Sequence, residues 1–336
     1  DGAHFGGTRR MELLKRLTQT DGVSGDESEI RAVIENEIKE YCDEVFTDAM
    51  GNLIAHINGG GKKVMFDAHM DEIGIIVTYI DENGFIRFRN IGGLYVRHLV
   101  GRRVRFKNGT VGVIGCEEEE FNKKPMLEKL YIDIGADNCA NASETVSAGD
   151  TAVFAGEINI TKNTVVSKAL DDRAGCYILI KTIQNIKNSK NDLYFVFSSQ
   201  EEIGLRGAKT AAFAINPDFA VAVDVTDTGD VPSASAMVVK KGKGAAVKIM
   251  DRSVICDADV RIKLIETAKT HGVPYQLEIM TEGGTNAGAI HLTRAGIKTG
   301  AVSLPARYIH SPSEMIDIKD LENCCSLIKA AAETEW

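Results

Sequence analysis

The chain has 336 residues, 44% hydrophobic and 26% charged, with 39 basic against 48 acidic side chains and a net charge of -9. That is material for two domains, or for one domain carrying a large insertion, while the acidic balance argues against a nucleic-acid surface. No apolar run approaches the roughly 20 residues that span a bilayer, so no membrane partner is expected either.

Residues 1–10, "DGAHFGGTRR", lack the apolar stretch of a secretory signal. They are expected to be an expression remnant, because Met11 opens the first amphipathic pattern, "MELLKRL". The stretch to about residue 45 reads as two helices broken by a Gly-containing turn at 21–25. In the second helix Ile30, Val33 or Ile34, Ile38 and Tyr41 recur at helical spacing. "NLIAHI" and "KVMFDAHMDEIG" read as strands joined into a hairpin by "NGGGK". That turn is not a phosphate-binding loop, because Lys63 rather than Ser or Thr follows Lys62.

From about 75 to 165 the texture changes to short β-branched runs separated by turn signals, such as "RVRFKNGTVGVIG" and "DTAVFAGEINI". The pattern predicts a compact all-β unit inserted into another domain. Within it "EEEE" at 117–120 reads as a surface loop, and "GGLYV" with Arg97 and His98 as a solvated loop, the alternative being a wall of a neighbour's pocket. From 168 an α/β alternation resumes and runs to a closing helix from about 318, with one helix expected over "NAGAIHLTRAG". "KKGKG" at 240–244 reads as a solvated turn. The seven cysteines are odd in number and form no CxxC pair, so free thiols in a reducing cytosol are expected.

In open α/β sheets ligands collect beyond the carboxyl ends of the strands, so the polar residues following each apolar run are the candidates. These are His69 and Asp71, Asp171 and Asp172 at a helix start, Glu201 and Glu202, Asp224, and His310. Each has an ordinary alternative: "DD" is good capping chemistry, a histidine after a strand is usually half-buried packing, "EE" is usually a solvated face, and Asp224 could begin a turn with Thr226. His56, His271 and His291 show no comparable placement. Taken together, two histidines and several carboxylates without a thiolate describe a di-metal hydrolytic site. Adjacent glutamates past a strand end suit it, one ligating a metal and its neighbour staying free as a base. Asp71, two residues beyond His69, suits the imidazole's other N–H.

The motifs "AHMDEIG", "KALDDRAG", "SSQEEIGLRGA", "VAVDVTDT" and "EGGTNAGAIHLTRAGIKTGAVSLPARYIHSPSEMID" together resemble the M42 family of metallo-aminopeptidases. The likeness runs in order from Met11 to the C-terminus. It implies an α/β fold: an α/β/α zinc-peptidase-like catalytic domain with a central mixed sheet, formed by 11–74 and 166–336, with a PDZ-like β-barrel dimerisation domain inserted at 75–165. It implies two divalent ions per subunit, Zn²⁺ or Co²⁺, with Mn²⁺ also accommodated. One would be held by His69 and Asp224 and the other by Glu202 and His310, with Asp171 bridging, Asp71 partnering His69, and Glu201 the general base on a metal-bridging water. It further implies a cis Asp171–Asp172 peptide, and places "GGTNAG" on the substrate side, where Asn286 replaces a usual Asp near the bound peptide. The function expected is removal of N-terminal residues from short peptides by a cytoplasmic enzyme that self-associates through its insertion, as a dimer up to a tetrahedral dodecamer. Neither N-terminal preference nor oligomeric state is encoded in a motif. A glycosidase reading is weaker, since adjacent carboxylates cannot flank a sugar bond and the chain is 6% aromatic with one Trp. A non-catalytic scaffold would have no use for an unligated Glu201.

Overall fold

Strand and helix periods alternate so that apolar side chains fall on both faces of one sheet, and this sets the architecture. The computed structural model describes residues 11–121, 126–234 and 236–336; the expression-remnant reading falls on 1–10, outside the described residues. In chain order the helices are α1 (Glu12–Gln19), α2 (Ser28–Ile38), α3 (Glu118–Phe121), α4 (Cys139–Ser143), α5 (Leu170–Asn185), α6 (Arg206–Ile215), α7 (Ala258–Thr270), α8 (Ala287–Ile290) and α9 (Ile318–Glu333).

Eleven of the described strands form one mixed sheet. Its central members are β2 (Leu53–Ile57), β12 (Asp192–Ser198), β3 (Lys63–His69), β13 (Phe219–Thr226) and β16 (Lys298–Arg307), side by side in that order. β12, β3, β13 and β16 run parallel, so their carboxyl ends share one edge. β3 is buried on both sides: Val64, Phe66 and Ala68 join the core under α1, α2, α5, α7 and α9, while Met65 joins the core under α6 and α8. Such doubly covered strands read as continuous apolar runs rather than alternating ones.

The hairpin expected between "NLIAHI" and "KVMFDAHMDEIG" does not form. β12 lies between β2 and β3, antiparallel to the first and parallel to the second. The glycine run serves close approach instead. A Cβ on Gly59 would lie 2.1 Å from the carbonyl oxygen of Asn191, and one on Gly61 2.0 Å from that of Lys190, so the chain entering β12 passes against bare backbone. The helix expected over "NAGAIHLTRAG" is only the four residues of α8, ended by turns at Thr293 and Gly296 and by Arg294 at φ 54°.

The β-rich stretch closes into a barrel of six strands in the order β4 (Gly74–Ile80), β5 (Ile86–Ile91), β8 (Leu130–Asp133), β7 (Val111–Cys116), β6 (Arg103–Phe106) and β9 (Thr151–Phe154), all antiparallel. It has its own core, with Ile75, Ile86, Phe88, Phe106, Ile132 and Phe154. Of "EEEE", Glu117 follows the end of β7 and is held by Arg87 and Lys129, while 118–120 open the short helix α3 rather than a loop. "KKGKG" is a turn, but a clasped one: buried Asp320 accepts from the N–H groups of Gly242 and Gly244. None of the seven described cysteines forms a disulfide, and no described helix is long and apolar enough to cross a membrane.

Candidate active site

Parallel pairing brings the candidates together. β3 ends on His69, whose register partner on β12 is Ser198, so Glu201 and Glu202 follow within a turn of the same edge. Asp224 lies near the end of β13, opposite Ser303 of β16, and β16 leads on to His310. Asp171 arrives from the start of α5, where the Asp171–Asp172 peptide is cis.

Asp171 is the hub. Its Oδ1 lies 2.9 Å from His69 Nε2 and its Oδ2 3.4 Å from His310 Nε2. His310 Nε2 is in turn 3.2 Å from Glu202 Oε2. On the other flank His69 Nε2 is 3.9 Å from both Glu201 Oε2 and Asp224 Oδ1. Donor atoms of His69, Asp171 and Glu202 lie within 4.8 Å of one another, as do those of His69, Glu201 and Asp224, so either group is able to hold a divalent cation. His310 stands beside the first group rather than inside it, and Glu201 is itself within ligand reach. Glu202 Oε1 is buried without a hydrogen-bond partner among the described residues. An excess of buried carboxylates with an orphaned oxygen is a donor set that fits hard or borderline divalent ions.

The charge states agree. Burial pushes the Glu201 carboxyl well above the usual range, with Asp224, Glu202 and Asp71 adding to it and His69 offsetting it in part. Burial and the Asp171 charge push Asp224 up to about 7. Burial opposes protonation of His69, yet Glu201, Asp171 and Asp71 raise its pKa well above normal. His310, likewise opposed by burial, is held up to about 12 by hydrogen bonds to Asp171 and Glu202. Crowded anions are gathering protons here, the place a cation would take.

The two aspartates of "DD" divide their duties. Asp172 does cap the helix, accepting from Gly175 N at 3.0 Å, and also receives His69 N at 3.2 Å. Asp71 does more than face His69, whose Nδ1 is 3.4 Å from its Oδ1. Its carboxylate accepts the backbone N–H groups of Glu201 at 3.0 Å and Glu202 at 3.2 Å, and the Ser24 hydroxyl at 2.5 Å. It therefore fixes the turn that presents both glutamates. Asp71→Asn puts an amide donor against one of those N–H groups. Divalent-cation affinity should fall by about 10–100-fold, read by calorimetric titration with Zn²⁺; an unchanged affinity would show that the turn holds itself.

Two contributors escaped the sequence reading. Buried Glu314 accepts from Asp171 N at 2.9 Å and His310 N at 3.0 Å, tying the two together; its only signal was standing four residues after His310. Ser24 gave none. The "GGLYV" loop is solvent-exposed as expected at Gly93, Tyr95 and His98, and these same residues line this chain's own cavity of about 620 Å³ above the cluster. A Cβ on Gly92 would lie 2.9 Å from Glu202 Oε2, and one on Gly93 2.9 Å from His310 Nδ1, so glycine lets the barrel loop close on the site.

Asn286 is not among the residues that line the cavity. It is 2% exposed, and its Nδ2 donates to Asp67 Oδ1 at 2.6 Å and Ser198 Oγ at 2.9 Å, behind the sheet edge. Its amide supplies a donor to Asp67, a fully buried carboxylate whose pKa burial raises to about 7. His56, His271 and His291 stay outside the cavity. His56 pairs with Asp192 at 2.6 Å, and the other two meet helix carbonyls of their own turns.

Comparison with known proteins adds an independent line. The family described as M42 glutamyl aminopeptidase matches residues 51–327. The chain is 52% identical over 322 residues to an aminopeptidase-type protein of Acetivibrio thermocellus, covering 96% of this chain and 98% of that one. It is 34% identical over 336 residues to the lysyl aminopeptidase of Pyrococcus furiosus, covering 96% of each. Among solved structures, the Pyrococcus horikoshii TET1 peptidase, which can assemble into a tetrahedron or a large octahedral shell, superposes with a TM-score of 0.85 at 36% identity, over 96% of this chain and 98% of that one.

Proposed function

The chain belongs to the M42 family of aminopeptidases and is a hydrolase of the exopeptidase class; from that premise we propose that it removes N-terminal residues from peptides with two divalent ions as cofactors and Glu201 as general base. The observation that carries the proposal is the divided carboxylate of Asp171, one oxygen toward His69 and the other toward His310, with Glu201 on the His69 flank.

In this reading His69 and Asp224 would hold one ion, Glu202 and His310 would hold the other, and Asp171 would serve both. Zn²⁺ or Co²⁺ suits the imidazole and carboxylate set, and Mn²⁺ is also accommodated. Bound divalent ions supply Lewis-acid polarisation of the scissile carbonyl and a water of lowered pKa. Glu201 takes the proton of that attacking water and hands it to the leaving amine nitrogen as the peptide bond breaks. Asp71 holds Glu201 and Glu202 at their stations through backbone N–H groups. Gly93, Tyr95 and His98 of the barrel loop line the cavity beside the cluster.

The domain division extends the same reading: residues 11–74 and 166–336 form the catalytic domain, and 75–165 a unit for self-association, as the assembling TET1 relative suggests. Seven cysteines without a disulfide are compatible with the cytoplasm as the place of action.

A panel of aminoacyl-p-nitroanilides and matched N-acetylated forms tests the proposal. Free-amine substrates should be hydrolysed and blocked ones not. Chelation should abolish turnover, and Co²⁺ or Zn²⁺ should restore it. Silence across the free-amine panel with metal present would overturn the reading.

A further inference from the structure

Beyond the cluster the cavity wall is formed by Thr226, Asp227, Lys248, Met280 and Glu282. Lys248, from β14 (Ala245–Met250), is its one buried lysine or arginine among the described residues, 3% exposed, and at first sight it is a receptor for an acidic side chain. Its partners argue otherwise. The Nζ hydrogen-bonds Glu278 and lies 3.3 Å from Asp251 Oδ2. Glu278 and Asp251 are 0% and 3% exposed, and Glu278 Oε1 also accepts the Thr226 hydroxyl at 2.9 Å. Glu278 Oε2 and Asp251 Oδ2 receive no hydrogen bond among the described residues. One ammonium is thus shared by two buried carboxylates, leaving that patch net negative with acceptor capacity unused. At the rim Glu282 is balanced by Arg252 at 3.4 Å, whereas Asp227 pairs with no lysine or arginine among the described residues.

Resting on the aminopeptidase reading, we infer that this wall selects peptides whose first side chain is cationic over those whose first side chain is acidic, with Asp227 on the wall as the specificity-determining residue and Glu278 and Asp251, buried behind it, as positioning residues that hold Lys248. An acidic side chain gains Lys248 only by drawing it from two buried carboxylates, which are then left unpaired. An ammonium or guanidinium meets the Asp227 carboxylate, with the net negative charge behind Lys248 adding to the attraction, in a partly enclosed space where that attraction is stronger than in water.

The test compares kcat/KM for lysyl-, arginyl-, leucyl- and glutamyl-p-nitroanilide on the metal-loaded enzyme. Calorimetric binding of L-lysinamide and of the α-amide of L-glutamic acid runs beside it. The lysyl substrate should exceed the glutamyl one by at least about tenfold, and lysinamide should bind the tighter. Asp227→Asn and Glu278→Gln should each shrink the lysyl-to-glutamyl ratio severalfold, and the rim variant keeps the test open if the buried one does not fold. Glutamyl turnover or glutamyl amide binding equal to or above the lysyl value would overturn the inference. Should no substrate be cleaved, the peptidase reading falls, and the amide binding still decides the charge preference of the cavity.

Discussion

Replacing Glu201 by Gln is expected to lower kcat on aminoacyl substrates by about 10²–10⁴-fold while leaving the fold and the metal content intact. Gln keeps the shape of the side chain and an oxygen that accepts, but it cannot take a proton from water. The turn that carries it is held by the backbone, through Glu201 N to Asp71 at 3.0 Å and the Gly204 and Leu205 N–H groups to Glu201 O, none of which the substitution touches. Elemental analysis of the purified variant separates the two roles that the geometry allows. Two equivalents of metal with lost turnover identify a base; a missing equivalent would identify a ligand, in line with the closeness of Glu201 to His69 and Asp224. Near-normal turnover would remove Glu201 from the mechanism altogether.

Asp171→Ala should cost both ions. Among the described residues no other carboxylate reaches His69 and His310 with separate oxygens, and its loss takes a donor from each position at once. Metal affinity should fall by more than the roughly 100-fold that marks the upper range for an outer partner, and hydrolysis should drop below detection. Because Asp171 is buried against two histidines, the variant must be checked for folding by circular dichroism; Asp171→Asn, which keeps the volume and one acceptor, serves as the control. In the proposed arrangement Glu202→Ala and His310→Ala remove donors to one ion alone, so retention of about one equivalent there and fewer in Asp171→Ala is the pattern expected. Equal metal loss in all three would contradict a bridging Asp171.

The residues themselves determined a good deal. Apolar runs flanked by polar residues announced the strands, and the rule that ligands gather past strand ends pointed to His69, Glu201, Glu202, Asp224 and His310 before any coordinates. The change of texture near residue 75 announced the inserted β unit, because strand period and turn chemistry are local properties. What only the tertiary structure decided was pairing and direction. The glycine run 59–61 suited a hairpin by local turn chemistry, yet β12 enters between β2 and β3, a choice made by packing between residues some 130 positions apart. The same holds for Ser24 and Glu314, whose hydroxyl and carboxylate matter only because folding sets them against Asp71, Asp171 and His310. Asn286 and Lys248 carry the point furthest: a side chain's residue type was plain, but which face of the sheet it meets, and whether its charge is already spent on a buried neighbour, is fixed by through-space contact that no local pattern records.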